Sequence, residues 1–174
     1  MSERFDEHTA TIRFRIRPCV HGDLEALQWM GVFAAQRETI HGVWAKQLEG
    51  RARMLVAEAS SFPVGQVWVD LAPAHAATLW ALRVLPGLHN AGIGRALVSA
   101  AERVAHRAGH ERARLSVALD NPGAERLYQR VGYRRVGEQR SEIVHRAHDG
   151  SRVVTIEQQI VLEKALLPAG QDGD

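Results

Sequence analysis

Residues 89–94 have the sequence His-Asn-Ala-Gly-Ile-Gly and lie between an apolar run and a long helical pattern. The first backbone N–H groups of a helix have no partner within it, and the helix dipole adds positive potential there. Gly92 and Gly94 would let a bulky anion approach the main chain closely. The segment therefore predicts a phosphate-binding loop at the start of a helix.

Two common phosphate loops can be excluded. The run from Gly92 to Leu97 lacks the third glycine of a dinucleotide fingerprint, and the chain contains no Gly-Lys-Ser or Gly-Lys-Thr of a Walker loop. The sequence supports neither NAD nor ATP.

Positive charge is concentrated around this loop. Residues 95–140 contain ten arginines against five acidic residues, a balance of +5, whereas the whole chain has a formal net charge of +2. An anionic ligand would suit the excess, and a solvated Arg-rich surface is the open alternative. The overall charge is too small to indicate nucleic acid.

Apolar periodicity before the loop predicts an α/β chain. Asp23 is a suitable N-cap for a helix, and the serines, proline and glycine between two β-prone runs suggest a hairpin. The pattern predicts strands over residues 11–17, 54–59, 64–71 and 78–84, a helix over 24–33, and a short helix within 34–50.

After the loop, Leu97, Ala101 and Val104 recur at helical spacing and Gly109 suits the C-terminal cap. A second helix begins at Asn121-Pro122 and ends at Gly132. Strands are predicted over 114–119, 133–145 and 151–163, the last two joined by a turn at 148–150. We expect one domain over 11–164 between flexible tails, 1–10 and 165–174.

Two segments carry a family resemblance. Residues 84–94, with Val84-Leu85-Pro86 and Gly92-Ile93-Gly94, resemble the acetyl-CoA motif of the GNAT acetyltransferase superfamily, although His89 stands where the family has Gln or Arg. Residues 121–133 resemble a second GNAT segment, Asn-x-x-Ala-x-x-Leu-Tyr-x-Lys/Arg-x-Gly-Phe/Tyr. The resemblance implies a mixed, mostly antiparallel sheet flanked by helices on both faces.

The resemblance also implies how acetyl-CoA binds. Loop N–H groups would hold the pyrophosphate, the preceding strand would pair with the pantetheine amides, and Arg126 or Arg130 could meet the 3'-phosphate or remain solvated. The residues expected to bind acetyl-CoA are Leu82, Arg83, Val84, His89, Asn90, Ala91, Gly92, Ile93, Gly94, Arg95, Asn121 and Arg130.

Helical spacing alone places Tyr128 on an apolar face with Ala124, Leu127 and Val131, as a core residue would be. The GNAT resemblance makes it the expected catalytic acid. Direct transfer passes through a tetrahedral intermediate whose collapse releases a thiolate, and a neutral phenol can donate a hydrogen bond to that developing charge.

An acceptor amine must lose a proton, because its pKa near 10.4 leaves about one molecule in a thousand or fewer neutral at pH 7. Residues 78–84 contain no carboxylate, where many relatives place a Glu. Glu58 and Asp70 are the favoured catalytic bases, with His41 and His75 as further candidates. Residues 34–50, with Glu38 and Trp44, lie where the family tends to build acceptor specificity.

We therefore expect an acetyl-CoA-dependent N-acetyltransferase that acts on an amine of a small molecule or a protein. The alternatives are a regulatory acyl-CoA-binding module and, from the Arg excess, a nucleic-acid binder.

The single cysteine, Cys19, is either a nucleophile or, more commonly, a buried apolar residue. No opening apolar run or bilayer-length stretch occurs, so we expect a cytoplasmic protein with no metal, membrane or nucleic-acid partner; a homodimer stays open.

Overall fold

The computed structural model describes residues 11–146 and 151–166, without the side chains of residues 143–146 and 152. These residues form seven strands, three α-helices and three short 3-10 turns. The strands are β1 Arg15–Pro18, β2 Ala52–Ala59, β3 Phe62–Asp70, β4 Ala77–Val84, β5 Arg112–Ala118, β6 Arg134–Arg146 and β7 Arg152–Ala165. The helices are α1 Arg37–Leu48, α2 Ile93–Arg107 and α3 Pro122–Arg130.

The strands form one sheet in the order β1-β2-β3-β4-β5-β7-β6. Neighbours are antiparallel except β4 and β5, which run parallel because α2 crosses over between them. The predicted mixed, mostly antiparallel sheet is therefore confirmed.

Helices cover both faces of the sheet, so the central strands are buried on two sides. Leu97 and Ala101 of α2 pack on one face in a cluster that includes Leu55. Ile40 of α1 packs on the other, with Trp68. The two faces are called the α2 side and the α1 side below.

The predicted helix over residues 24–33 is wrong. The chain forms 3-10 turns at His21–Asp23 and Ala26–Gln28 instead, and Trp29, Met30 and Gly31 have φ of 43°, 56° and 91°. Trp29 is buried and its Nε1 donates to the carbonyl of Pro63 at 2.9 Å. Burial of this indole against β3 overrides the local helical spacing.

The remaining elements differ from prediction mainly at their ends. The first strand is Arg15–Pro18, so it begins four residues after the predicted start at 11 and ends one residue after the predicted end at 17; α1 fills most of the 34–50 segment. β7 continues to Ala165, and Leu166 is buried with its N–H on the carbonyl of Glu111. The predicted 148–150 turn lies outside the described residues. No helix within residues 11–146 and 151–166 has the length and apolar character needed to cross a membrane.

Candidate active site

The parallel strands β4 and β5 pair only at their first residues and then separate. Ala77 lies opposite Ala113 and Thr78 opposite Arg114, and no further β4–β5 pair is found among the described residues. The β5-facing edge of residues 79–84 therefore has backbone groups that sheet pairing does not satisfy. Such an edge can accept an extended ligand with amide groups.

A bulge in β4 decides which residues present that edge. The β3–β4 register shifts between Gln66 and Trp68, and Ala81 has φ of 52°. Beyond the bulge, the N–H of Leu85 points toward β3 and donates a hydrogen bond of 2.8 Å to the carbonyl of Val64. Because successive residues of a strand point their backbone groups to opposite sides, Leu82 and Val84 present theirs to the opening and Arg83 presents its own to β3.

The glycine loop joins this edge to α2. Gly92 caps the helix with φ of 80° and offers no side-chain hydrogen bond to the first turn, so the N–H groups of Ile93, Gly94 and Arg95 remain available. The His89 Nε2 lies 3.2 Å from the carbonyl oxygen of Val84 and ties the loop to the strand. The helix start is thus a site for an anion beside the open edge of β4.

Other predicted loop residues shape or surround this anion site. Asn90 has φ of 65°, in the left-handed region, and Ala91 is exposed beside it. Arg95 is exposed in the first turn of α2, and Arg130 is exposed in the last turn of α3. The structure thus places exposed positive charge on both helices that follow the opening.

Helix α3 packs against the start of α2. A Cβ atom placed on Gly94 would lie 3.7 Å from Leu127 Cδ2 and 3.8 Å from Val84 Cγ2, so α3 and the end of β4 meet at this glycine. Asn121 begins α3, with its Oδ1 accepting the N–H of Ala124 at 3.1 Å. Asn121 therefore fixes the helix that carries Tyr128.

The Tyr128 ring is buried, 8% exposed, with its centroid 5.7 Å from that of Tyr133 in an edge contact. Its hydroxyl forms no hydrogen bond with another described residue and, unlike that of Tyr133, is not fully shielded from solvent. Burial raises the pKa of Tyr128 above its ordinary value near 10. The hydroxyl is therefore a protonated donor at neutral pH with no partner of its own.

Glu58 is engaged elsewhere. Arg17 Nε donates to it at 2.5 Å and Arg15 Nη2 at 2.7 Å, and the same Arg17 pairs with buried Asp23 at 2.7 Å. The hydrogen bonds from Arg17 and Arg15 lower the pKa of Glu58. The structure places this carboxylate on β2, two strands from β4, as part of an ion-pair cluster.

Asp70 lies opposite Thr78 in the β3–β4 register, and its Oδ1 accepts the N–H of Ala72 at 3.0 Å. Thr78 lines a cavity of about 730 Å³ that His75, Arg114, Ser116 and Gln139 also line. Exposed Arg114 and Ser116 alternate with the buried residues of β5 that face α2. The cavity therefore opens on the α1 side, where β4 and β5 begin to separate.

The other candidates lie apart from the opening or lack reactivity. His41 is exposed on α1, and Trp44 is half-buried with an edge contact to His21 at 5.9 Å. Burial raises the pKa of Cys19 to about 12, so its thiol is neutral at pH 7 and a poor nucleophile. Residues 11–146 and 151–166 contain no group of three or more His, Cys, Asp or Glu placed to hold a metal ion.

The sequence predicts that Arg83 contacts acetyl-CoA through the main chain of its strand, and it does not indicate a role for the side chain. Arg83 Cζ lies 4.5 Å from the centroid of Phe33 and 5.7 Å from that of Trp68, and its Nη2 donates to Gln36 Oε1. Its Nη1 and the Nε2 of fully buried Gln66 have no partner in the described part of the chain. The sequence signal was one Arg and one Gln inside two otherwise apolar strands.

Comparison with known proteins agrees with this geometry. Residues 21–133, well over half of the chain, match the family model described as the acetyltransferase (GNAT) family. No curated protein sequence is significantly similar to the chain.

Solved structures resemble the whole described fold at low sequence identity. The ribosomal-protein-S18-alanine N-acetyltransferase of Escherichia coli is 19% identical, with TM-score 0.67 over 93% of this chain and 99% of that one. Ard1 from Thermoplasma volcanium is 18% identical, with TM-score 0.70 over 89% and 99%. The putative acetyltransferase yncA from Salmonella typhimurium, solved with acetyl-CoA, is 17% identical, with TM-score 0.67 over 92% and 99%.

Proposed function

Because this chain belongs to the GNAT acetyltransferase family, we propose that it transfers an acetyl group from acetyl-CoA to a primary amine at the opening between β4 and β5. One observation carries the proposal: the unpaired edge of β4 leads directly to the glycine-capped start of α2. An extended amide chain that ends in phosphates matches both parts of that surface.

The donor's binding follows from the main chain. The backbone groups of Leu82 and Val84 would form hydrogen bonds with the pantetheine amides. The pyrophosphate would accept hydrogen bonds from the N–H groups of Ile93, Gly94 and Arg95. Gly92 keeps the helix start free of a competing side chain. No metal is required for these contacts.

Tyr128 serves the departure of the sulfur. A thiolate leaving the tetrahedral intermediate needs a hydrogen bond as its charge develops, and the Tyr128 hydroxyl has no other partner among the described residues. Because burial raises the pKa of this phenol further above that of a thiol, full proton transfer is uphill. Tyr128 therefore stabilises the thiolate mainly as a hydrogen-bond donor.

Asp70 is the stronger of the two carboxylate candidates for deprotonating the amine, since Glu58 is held by two arginines. Asp70 is the cross-strand partner of Thr78, which lines the cavity, and would act through water. We expect Asp70→Asn to lower kcat/KM about tenfold or more at pH 7. The loss should shrink toward pH 10, where the free amine is neutral without help; a pH-independent deficit would contradict a base role.

A thermal-shift series with acetyl-CoA, followed by thiol release against a panel of amines, tests the proposed function. We expect stabilisation by acetyl-CoA and amine-dependent thiol release. No stabilisation would contradict the donor site. Stabilisation without turnover on any amine would favour a regulatory acyl-CoA-binding module instead.

Two further aspects are proposals of the same kind. A cytoplasmic setting would be tested by fractionating the host cell, and a homodimer by light scattering of the purified chain. Neither is required for the site, because the described residues of one chain provide its donor half.

A further inference from the structure

Two buried hydrogen-bond donors on the α1 side of the sheet lack acceptors. The Nε2 of Gln66 and the Nη1 of Arg83 are shielded from solvent and have no partner within residues 11–146 and 151–166. Gln66 is 0% exposed. Buried polar groups in proteins are nearly always paired, so two unpaired donors at one place require an explanation.

The two donors belong to one cluster. Gln66 and Arg83 are direct cross-strand partners on β3 and β4, which places their Cβ atoms about 5 Å apart on one face. Trp68 connects them, since its Nε1 donates to Gln66 Oε1 at 3.0 Å while its ring lies 5.7 Å from the Arg83 guanidinium.

The cluster has a cation and lacks an anion. No salt bridge of the described residues includes Arg83; its neighbours are the ring of Phe33 and the amide oxygen of Gln36. Arg83 is half-buried, and a charge partly withdrawn from solvent is stabilised by an opposite charge. A guanidinium N–H beside an amide N–H is complementary to a carboxylate, which accepts hydrogen bonds and donates none.

We propose that Gln66 and Arg83 bind a carboxylate carried by the acceptor amine, so that the substrates of this enzyme are amino carboxylates. This inference rests on the proposed acetyltransferase function and specifies its acceptor. The donor's contacts are the edge of β4 and the start of α2, whereas the Arg83 side chain lies on the α1 side with Phe33 and Gln36. The carboxylate displaces Gln36 from Arg83, and Phe33, whose ring lies against the guanidinium, contacts the substrate's apolar part.

Paired acceptors test the inference. Amino acids and their carboxamides share shape and amine but differ in charge, and their kcat/KM ratio is measured for the wild type and for Arg83→Met. Comparing this ratio between proteins cancels the intrinsic difference in amine basicity. We expect Arg83→Met to lower the carboxylate-to-carboxamide ratio about ten- to a hundredfold, the usual effect of a hydrogen bond to a charged group.

Arg107→Met is the matched control, because Arg107 is an exposed arginine in the last turn of α2. It should leave the ratio unchanged. Equal losses for both acceptors in Arg83→Met, or no loss for either, would overturn the inference.

Gln66→Glu keeps the test valid if Arg83→Met fails to fold. It places a resident carboxylate beside Arg83 at nearly constant volume, so it should remove the preference for carboxylate acceptors as Arg83→Met does. A Gln66→Glu protein that folds and keeps the full preference would contradict the proposed site.

The remaining arms separate the possible failures. Succinyl-CoA with a simple amine places the carboxylate on the acyl group; if Arg83→Met impairs this reaction and not that of amino acids, the acceptor assignment is wrong. Turnover of amines without any discrimination by charge defeats only the inference. Absence of turnover on every amine defeats the proposed function and the inference with it.

Discussion

Tyr128 and Tyr133 are neighbouring buried phenols with different expected roles. The Tyr133 hydroxyl lies beside the carboxylate of Glu102, whereas Tyr128 lies on α3, which contacts the start of α2 through Leu127. The helix that carries Tyr128 therefore packs beside the glycine loop.

We expect Tyr128→Phe to lower kcat on the order of a hundredfold, because it removes the hydrogen bond to the departing thiolate. The Kd for acetyl-CoA, measured by calorimetry, should change less than about twofold. Tyr133→Phe is the control and should retain turnover, since the Tyr133 hydroxyl lies beside the carboxylate of Glu102 and not on α3. Unchanged kcat in Tyr128→Phe would remove the residue from the mechanism.

Asp23 provides a pH test of the ion-pair cluster. Its hydrogen bonds from Arg17 and from the Val20 N–H outweigh burial and lower its pKa. A carboxyl with a depressed pKa contributes stability above its unfolded value, near 3.9, and loses that contribution as pH falls through the folded value. We expect Asp23→Asn to lower the free energy of unfolding by about 1–3 kcal/mol at pH 7.

Urea denaturation at pH 7 and pH 3 measures this difference. The gap between Asp23→Asn and the wild type should narrow at the lower pH as the wild-type carboxyl becomes protonated. An equal gap at both values would mean that packing, not charge, accounts for the loss.

At the scale of elements, the contact between β3 and α2 determines where the glycine loop lies. A Cβ on Gly65 would approach Ile93 Cγ2 and Leu97 Cδ1 to 3.0 Å and the carbonyl oxygen of Arg83 to 3.3 Å. Gly65 therefore allows the first turn of α2 to rest on the sheet. A residue with a side chain would push that turn, and its free N–H groups, away from the edge of β4.

We expect Gly65→Ala to destabilise the protein by about 1–3 kcal/mol through overpacking and to weaken acetyl-CoA binding severalfold. Thermal denaturation and calorimetry measure the two effects. Gly42→Ala is the control. Nothing lies within 4 Å of the Cβ position of Gly42 in α1, so this substitution should raise the free energy of unfolding by up to about 1 kcal/mol. Full acetyl-CoA affinity in Gly65→Ala would contradict the proposed coupling.

Some elements were predictable and others were not, for physical reasons. Helices α2 and α3 have clear apolar stripes and local caps, Gly92 and Asn121, so short-range pattern predicts them well. Residues 24–33 have similar spacing, but the indole of Trp29 bonds to Pro63, 34 residues away in sequence. A contact that distant contributes nothing to a local pattern.

At the scale of the whole molecule, charge is distributed unevenly. The stretch 95–140 carries +5 of formal charge in a chain of +2, and Arg95 and Arg130 are exposed on the two helices that follow the opening. This distribution should attract a polyanionic donor at long range. The same attraction should be screened by salt.

We expect the Kd for acetyl-CoA to rise severalfold between about 0.05 M and 0.5 M NaCl, because exposed charges are screened over roughly 10 Å at 0.1 M. Arg130→Ala should reduce that dependence. Arg13 is an exposed arginine outside residues 95–140, so Arg13→Ala should leave the salt dependence unchanged. Equal salt dependence in all three proteins, measured by calorimetry, would argue against a role for Arg130 in donor attraction.

The sequence by itself determined the family and predicted the donor half of the proposed site. Gly92 and Gly94 at the start of α2, and residues 121–128 at the start of α3, act through local backbone geometry. Such short-range patterns can be read directly from the sequence. Family membership followed from the same residues, within the matched range 21–133.

Only the tertiary structure decided the acceptor half. Arg83 and Gln36 are 47 residues apart, and Glu58 meets Arg17 across 41 residues, so neither partnership could be seen in the sequence. Folding removed Glu58 from the opening and left Gln66 and Arg83 with unpaired donors. In the proposed acceptor site, recognition depends on distant side chains that share one face of the sheet, and only the packing of the whole chain brings them together.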